Sequence, residues 1–226
     1  MKPKVKKLLA IAAIIVVAVA IAAISSVAYL TDTTATMTNT FVTEPNLAKA
    51  FVLNETNAIQ QPDYSYKFVD DTEPKVQAVT YDIIPGFDLP KDPTVRITEI
   101  SDTGSYLYLE VCDGLTASSA LSFDMDTCWE AISGTGLHGG KLYIYKPVGA
   151  GSGNYLLDSS RSSEVAAINI IKDKAIHVPS KDAEGNRLYV LGLKDEGNTL
   201  DFYAYLCQAQ SGELPADVIA RSGFLK

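Results

Sequence analysis

Apolar and polar residues alternate one by one along several stretches of the chain, which is typical of half-buried β-strands. Leu107, Leu109 and Val111 fall on one face of a predicted strand, and Tyr106 and Tyr108 fall on the other. The same alternation predicts strands in residues 94–100, 106–111, 141–146, 187–193 and 199–208. Many short strands of this kind predict an all-β fold, an antiparallel β-sandwich with short peripheral helices.

Two turn segments and one helical segment complete the predicted elements. Residues 181–186 and 194–198 each contain Gly and Asn, which accept the positive φ of hairpin turns, and they lie on either side of one predicted strand. Residues 214–220 are predicted to form a short helix with Pro215 in its first turn, where a missing N–H is tolerated. Helix is therefore expected to be scarce after the signal segment.

The start of the chain has the composition of an export signal. Four lysines stand within the first seven residues, and residues 8–24 carry no polar side chain. Ser26 and Ala28 supply the small residues that a signal peptidase requires, so that Tyr29 would be the first mature residue. The prediction is a cleaved hydrophobic signal helix over residues 1–28. The alternative is a retained membrane anchor, since the apolar run approaches the roughly 20 residues of a bilayer span.

The mature chain, residues 29–226, is strongly acidic. Loss of the signal segment lowers Lys plus Arg from 19 to 15 and leaves Asp plus Glu at 27, so the net charge changes from −8 to −12. Nucleic acids and anionic membranes need clustered basic residues, so neither is an expected partner, and membrane contact is expected only through an uncleaved signal segment. The glycine-rich residues 149–153 lie between strand-like stretches and are interpreted as a loop, so we expect one domain.

The mature chain contains no recognisable catalytic motif. Its two histidines, His138 and His177, are far apart, and neither belongs to a His-Glu-x-x-His zinc motif. Residues 134–139 are rich in glycine but lack the strand–turn–helix setting of a dinucleotide site, so we interpret them as a loop. We therefore expect ordinary structural roles for both histidines, and neither catalytic residues nor a metal or cofactor site.

Three cysteines, Cys112, Cys128 and Cys207, are an odd number for a protein exported to an oxidising environment. The two-residue period places Cys112 and Cys207 on the tyrosine-bearing faces of their strands, which permits a Cys112–Cys207 disulfide. A local disulfide between Cys112 and Cys128 is one alternative, and three buried thiols are the other.

Two blocks in the N-terminal half of the chain carry a resemblance to a known family. SVAYLTDT at residues 26–33 is followed by ATMTNTFV at residues 35–42, and together they resemble the processing site and early mature strand of the TasA/camelysin family of Gram-positive bacteria. Residues 84–86 (IPG) and 91–95 (KDPTV) resemble a second segment of that family. Residues 106–111 stand where the family has an aromatic strand.

The resemblance implies a jelly-roll-like β-sandwich, processed by a dedicated signal peptidase and exported to the extracellular matrix or cell surface of a Gram-positive bacterium. Proteins of the family assemble into fibres that scaffold biofilms, so the implied partners are further copies of the chain or a related matrix subunit. Camelysin-type relatives are classified as metallopeptidases, which makes a cell-surface metallopeptidase the rival function. A monomeric surface adhesin or an accessory fibre subunit is a further alternative.

Residues 29–41 are the candidate polymerisation segment. They are rich in Thr and contain neither Gly nor Pro, so the segment can add as a strand to an exposed sheet edge of a neighbour. Head-to-tail addition does not close, and it therefore builds a filament. The alternative is that the segment is the first strand of its own sandwich. The residues predicted to take part are Tyr29, Leu30, Thr31, Thr33, Ala35, Met37, Asn39 and Phe41, and those with large side chains, Tyr29, Met37 and Phe41, are the predicted anchors.

Overall fold

The structure is a computed structural model of the 226-residue chain. It describes residues 31–34, 48–49, 51–70, 74–100, 102–115, 121–151, 153–161, 163–188, 199–210 and 212–226, with the backbone alone for residues 31–34, 48–49 and 99. The predicted signal helix lies outside these residues. So do the second predicted turn, residues 194–198, and most of the predicted strand 187–193.

The described elements are almost all β-strands. In chain order they are β1 (Thr31–Thr34), β2 (Ala48–Lys49), β3 (Val52–Asn54), β4 (Ala58–Gln60), β5 (Tyr66–Phe68), β6 (Leu89–Pro90), β7 (Thr94–Arg96), β8 (Glu99–Ile100), β9 (Ser105–Asp113), β10 (Trp129–Thr135), β11 (Lys141–Tyr145), β12 (Ile168–Asn169), β13 (Ala175–Ile176) and β14 (Leu200–Gln208). One α-helix, α1 (Pro215–Ser222), follows β14. Two single 3₁₀ turns lie at Ser159–Arg161 and Lys172–Lys174.

Five strands form the main sheet, in the order β1-β14-β9-β11-β10, and every neighbouring pair is antiparallel. A three-stranded sheet has the order β12-β7-β3, and three two-stranded pairs join β13 to β6, β2 to β8 and β4 to β5. All of these pairs are antiparallel as well. The predicted all-β fold is therefore confirmed.

Both faces of the two central strands of the main sheet, β9 and β14, are buried. On β9, Leu107, Leu109 and Val111 belong to the larger core, which also contains side chains from the small sheets. Tyr106 and Tyr108 project to the opposite face and belong to a second, smaller core. This is the division of the strand into two faces that its alternating sequence predicts.

The C-terminal helix covers the second core. α1 begins at Pro215, one residue after the predicted start at residue 214, with Pro215 in its first turn as predicted. It runs to Ser222, two residues beyond the predicted end, and is capped by Gly223, whose φ of +80° is the left-handed conformation that glycine adopts readily at a helix C-terminus. Val218 and Ile219 are its buried apolar residues. The Tyr108 hydroxyl donates a hydrogen bond of 2.7 Å to the Pro215 carbonyl. The helix is thus anchored to the sheet by apolar contact and by a tyrosine.

Of two further predicted elements, the hairpin turn is present and the strand is divided. The predicted hairpin turn at residues 181–186 is present, with a bridge between Lys181 and Arg187 and a hydrogen bond from the Asp182 N–H to the Asn186 carbonyl. The predicted strand 94–100 is divided into β7 and β8. It is interrupted at Ile97, whose N–H donates to the carbonyl of Val165 instead of to a neighbouring strand of the sheet.

Candidate functional site

The outer side of β14 is where the N-terminal segment meets the main sheet. β1 lies antiparallel on it, with Thr31 opposite Cys207 and Thr34 opposite Ala204. This ladder spans four residues of β14, whereas the ladder with β9 on the other side spans all nine. For residues 31–34 the structure therefore has the intramolecular arrangement, in which the segment is a strand of its own sheet.

The described part of the N-terminal segment is short. Of the residues predicted for polymerisation, Thr31 and Thr33 lie in β1. The remaining ones, and those predicted for signal-peptidase recognition, lie outside the described residues: Tyr29, Leu30, Ala35, Met37, Asn39 and Phe41, together with Ser26 and Ala28.

Both faces of β14 are packed, so the position of this strand is well fixed. Ala204 and Leu206 lie in the larger core, and Tyr205 and Cys207 lie in the second core beneath α1. All four side chains are buried. Because neighbouring residues of a strand face opposite ways, a shift of β14 by one residue would exchange the contents of the two cores. The backbone groups along its outer side are therefore presented in one register.

The other edge of the main sheet is less regular. β10 pairs with β11, but the register of this pair shifts between Ala131 and Thr135. Gly134, inside the irregular stretch, has a φ of +110°. The C-terminal end of the chain also approaches this edge, since the Lys226 N–H donates a hydrogen bond of 3.1 Å to the Thr135 carbonyl. A bulged strand is a poor template for strand addition, so the two edges of the sheet differ.

A buried carboxylate, Glu110, lies on β9 beneath the turn that joins β10 to β11. The residue has 0% exposed surface. Its Oε1 accepts hydrogen bonds of 2.8 Å from the backbone N–H groups of His138 and Gly140. Its Oε2 accepts a hydrogen bond of 2.6 Å from the Tyr205 hydroxyl and lies 3.1 Å from Nδ1 of His138. Two strands and a turn are thus tied together at one carboxylate.

His138 is held in one orientation by this cluster. Its ring stacks on Tyr203, with 3.6 Å between ring centroids and 7° between planes. With the hydrogen on Nδ1, the ring donates to Glu110, and Nε2 is then an acceptor. The side chain is 38% exposed, so the ring also reaches solvent. The second histidine is placed quite differently, because His177 and its partner Asp88, 2.9 Å apart, are both more than half exposed.

The charge state of Glu110 follows from its contacts. Burial would raise its pKa, but hydrogen bonds from the Tyr205 hydroxyl, from the Gly140 amide and from His138 together hold the pKa below its ordinary value. The carboxylate is therefore charged at neutral pH. Burial, and then the hydrogen bond to Glu110, raise the pKa of the Tyr205 hydroxyl, which consequently remains protonated and able to donate.

Two glycines allow the turn to close on the carboxylate. A Cβ atom at Gly136 would lie 2.2 Å from the carboxyl carbon of Glu110, and one at Gly140 would lie 2.6 Å from the backbone oxygen of Val111. Real Cβ atoms essentially never approach so closely, and backbone cannot yield as a side-chain tip can. The glycines that the sequence shows around His138 therefore serve this close packing.

The Glu110 cluster was missed by the sequence prediction. The structure places residues 136–139 in a turn, as predicted for that part of the segment, but it gives His138 a buried charged partner. The available signal was Glu110 itself, a charged residue inside a strand whose neighbours are apolar or aromatic. Such a residue must find donors when it is buried, although the sequence does not say which ones.

Neither the Cys112–Cys207 disulfide that the sequence pattern permits nor the local Cys112–Cys128 alternative is formed, and Cys112, Cys128 and Cys207 are all free thiols, of which Cys207 is fully buried and the other two are half-buried. Cys112 lies opposite Asp201 on the β9–β14 ladder and Cys207 lies opposite Tyr106, so the two are six positions apart. At about 3.3 Å per residue this separation is roughly 20 Å, far beyond the reach of a disulfide. The predicted face of Cys207 is correct, because this residue belongs to the tyrosine-lined second core. The register of β9 and β14 nevertheless keeps Cys207 too far from Cys112 for a disulfide.

A second buried charged group lies beside a pocket of about 400 Å³. Glu55 is 4% exposed, and the Lys91 Nζ lies 2.8 Å from its Oε1 and 2.7 Å from its Oε2. Burial raises the pKa of Glu55, and the charge of Lys91 opposes that shift only in part. Apolar side chains, Leu89 and Phe202 among them, line other parts of the pocket. Its volume is at the lower end of the range for small-molecule sites.

The fold and these sites define the molecule as an all-β protein of antiparallel sheets in which β1, the first strand of the described residues, lies at the edge of the main sheet. No protein-family model, no curated protein and no solved structure matches this chain. Within the described ranges, no group of three or more His, Cys, Asp or Glu side chains could hold a metal ion. In the same part of the chain, no helix has the length and apolar character that crossing a membrane requires.

Proposed function

We propose that the protein is a secreted structural protein that polymerises into extracellular biofilm-matrix fibres by donating its N-terminal strand to a neighbouring subunit. On this proposal a signal peptidase cleaves after Ala28, and the mature chain is a jelly-roll-like β-sandwich related to the TasA/camelysin proteins of Gram-positive bacteria. It acts outside the cell and needs neither a cofactor nor catalytic residues. Its partners are further copies of itself or a related matrix subunit.

The observation that carries the proposal is the position of β1 on the outer side of β14. β1 is the first strand of the described chain, it is four residues long, and it lies at the end of the main sheet. A ladder of this length has about four backbone hydrogen bonds, each worth about 1 kcal/mol net, so these backbone bonds contribute only a few kcal/mol to its attachment to β14. The same segment of another copy can form an identical ladder, as in domain swapping.

The net charge of the mature chain predicts how salt should affect fibre growth. Subunits of net charge −12 repel one another, and added salt screens this repulsion over distances of about 10 Å at 0.1 M. Fibre growth is therefore expected to accelerate as the salt concentration rises. A complex formed through basic patches on an anionic partner would respond in the opposite sense.

The test is assembly of purified protein that begins at Tyr29. Light scattering over time should show growth, and negative-stain microscopy of the endpoint should show filaments. Deletion of residues 29–36 should abolish both. Undiminished fibre growth by the deleted protein, or a full-length mature chain that stays monomeric at every salt concentration, would exclude the proposal.

A matched pair of point variants separates strand addition from a general effect of the segment. Proline removes a ladder donor, so Thr33→Pro and Thr34→Pro are compared with Thr33→Val and Thr34→Val, which favour strands. Successive residues alternate in the direction of their N–H groups, so one of the two prolines removes a bond to β14. At least one proline variant should slow fibre growth at least tenfold, while both valine variants should grow at the normal rate.

A further inference from the structure

The pocket beside the Glu55–Lys91 pair has no role in the proposed polymerisation. We propose that it binds a small, uncharged and largely apolar molecule that carries one N–H or O–H hydrogen-bond donor. The donor bonds to the side chain of Asn54, and the apolar part lies against the larger core. The pocket lies within one subunit, so its occupation does not depend on whether the chain polymerises.

The pocket is bounded by residues of the main sheet and of the smaller sheets. Phe202 of β14 and Leu53 of β3 line it, together with residues 77–81, which belong to neither helix nor strand. The Tyr81 hydroxyl donates a hydrogen bond to the Pro90 carbonyl, which holds this irregular stretch against β6. The enclosed volume of about 400 Å³ is sufficient for a small molecule.

Much of the pocket lining is apolar. Leu53, Leu89 and Phe202 are buried and belong to the larger core. Water is poorly held beside such side chains, because an ordered water needs about two to four polar partners. An apolar group that displaces poorly ordered water gains affinity. The occupant that fits this part of the pocket is therefore apolar.

One polar atom of the lining residues indicates which group the occupant carries. The Oδ1 atom of Asn54, at the end of β3, is buried and has no hydrogen-bond partner within the part of the chain that the structure describes. A buried acceptor without a donor costs free energy, because its hydrogen bonds to water are lost and not replaced. A ligand that supplies an N–H or O–H group removes this cost.

The charged residues of the lining favour an uncharged ligand. The Lys91 Nζ lies 2.8 and 2.7 Å from the two carboxylate oxygens of Glu55, so this pair is neutral as a unit. Asp201 also lines the pocket, and its carboxylate accepts a hydrogen bond of 2.9 Å from the Thr199 hydroxyl. An anion would meet two carboxylates and one ammonium group that is already paired. A cation would lose its hydration without gaining an unpaired buried carboxylate.

Binding of indole and of 1-methylindole to the purified protein tests the proposal. The two probes share an apolar ring system, and only indole has an N–H donor. We expect indole to bind with a dissociation constant of roughly 0.1–1 mM, and 1-methylindole to bind about five- to tenfold more weakly because it leaves the acceptor unpaired. Saturation-transfer NMR titrations measure both affinities from the signals of the probe, and they are applicable to monomers and filaments alike.

Three variants locate the binding site. Asn54→Leu removes the acceptor at similar volume, so the affinity for indole should fall to that for 1-methylindole. Leu115→Phe adds bulk to the lining and should weaken the binding of both probes at least fivefold. Asn154→Leu, at an exposed position outside the pocket, is the matched control and should change neither affinity. Urea unfolding without probe, followed by the fluorescence of Trp129, shows that each variant is folded.

Preferential binding of indole by the native protein, lost in Asn54→Leu and retained in Asn154→Leu, supports the proposal. Equal affinities of the native protein for the two probes, or no binding of either at several mM, overturn it, and this comparison does not depend on the folding of any variant. A preference for indole that persists in folded Asn54→Leu, or binding that is unaffected in folded Leu115→Phe, places the probes elsewhere and likewise overturns it.

Discussion

Replacement of Glu110 by Gln tests whether the buried carboxylate stabilises the fold. Glutamine keeps the shape of the side chain and one acceptor oxygen, but it removes the charge from a group that meets four donors: two backbone N–H groups, the Tyr205 hydroxyl and the His138 ring. A hydrogen bond to a charged group contributes about 1.5–3 kcal/mol, compared with about 1 kcal/mol for a neutral one. The glutamine amide can reorient and keep some of these hydrogen bonds, which reduces the loss. We therefore expect a loss of about 2 kcal/mol in the free energy of unfolding at pH 7.

The stabilising effect of Glu110 should depend on pH. The pKa of Glu110 is lower in the folded protein than its ordinary value of 4.5, so its contribution is fully present above about pH 4.5 and is lost as the pH falls through the folded pKa. The stability difference between the native protein and the Glu110→Gln variant should accordingly be largest near neutrality. It should shrink progressively as the pH is lowered below 4.5.

The assay is urea unfolding followed by the fluorescence of Trp129, the one tryptophan of the chain, which is buried beside Tyr145. For a chain of this size, about 2 kcal/mol corresponds to a fall of roughly 4–8 °C in Tm. Glu184→Gln, at an exposed position, is the control and should change stability by less than about 0.5 kcal/mol. A similarly small effect of Glu110→Gln at pH 7, or a difference that persists unchanged at pH 3.5, would refute the reasoning.

Three further outcomes follow from the packing. Gly136→Ala should cost about 1–3 kcal/mol because its Cβ would overlap a buried carboxyl group, whereas Gly151→Ala, whose Cβ meets nothing within 4 Å, should be neutral in the same urea titration. Lys91→Met should cost about 3–5 kcal/mol of stability because it leaves Glu55 buried without its partner. Adding Glu55→Leu should recover most of this loss in thermal melts, and equal instability of the single and double variants would contradict the prediction. All three cysteines should be thiols that react slowly with alkylating reagents until the protein unfolds, since burial raises their pKa values, to about 11 for Cys112, the least shifted of them. A change in intact mass on reduction would contradict this.

The strands of the main sheet could be predicted because their pattern is local. β9, β11 and β14 each alternate between two buried faces, and the period of two is visible within a few residues. The C-terminal helix was likewise visible from Pro215 and the residues that follow. The division of the predicted strand 94–100 was not visible, because it depends on a hydrogen bond between Ile97 and a residue far along the chain.

The Glu110 cluster and the cysteine geometry could not be predicted for a different reason. Both depend on the register between strands that are distant in sequence, and a single sequence does not fix that register. Cys112 and Cys207 were placed on the correct kind of face, yet the ladder separates them by six positions. Glu110 meets Tyr205 and His138 only after β9 has paired with β14 and β11.

The position of β14 has a consequence for the order of folding during synthesis. β1 comes from the start of the described chain and β14 from near its end, and Tyr205 and Glu110 in the central pair of strands are 95 positions apart. Pairing over such separations is slow, because closing a long loop costs conformational entropy before the new contacts offset it. A growing chain therefore has its N-terminal strand long before its own β14. The ladder between β1 and β14 can form only after nearly the whole chain has been synthesised, so β1 joins the main sheet late.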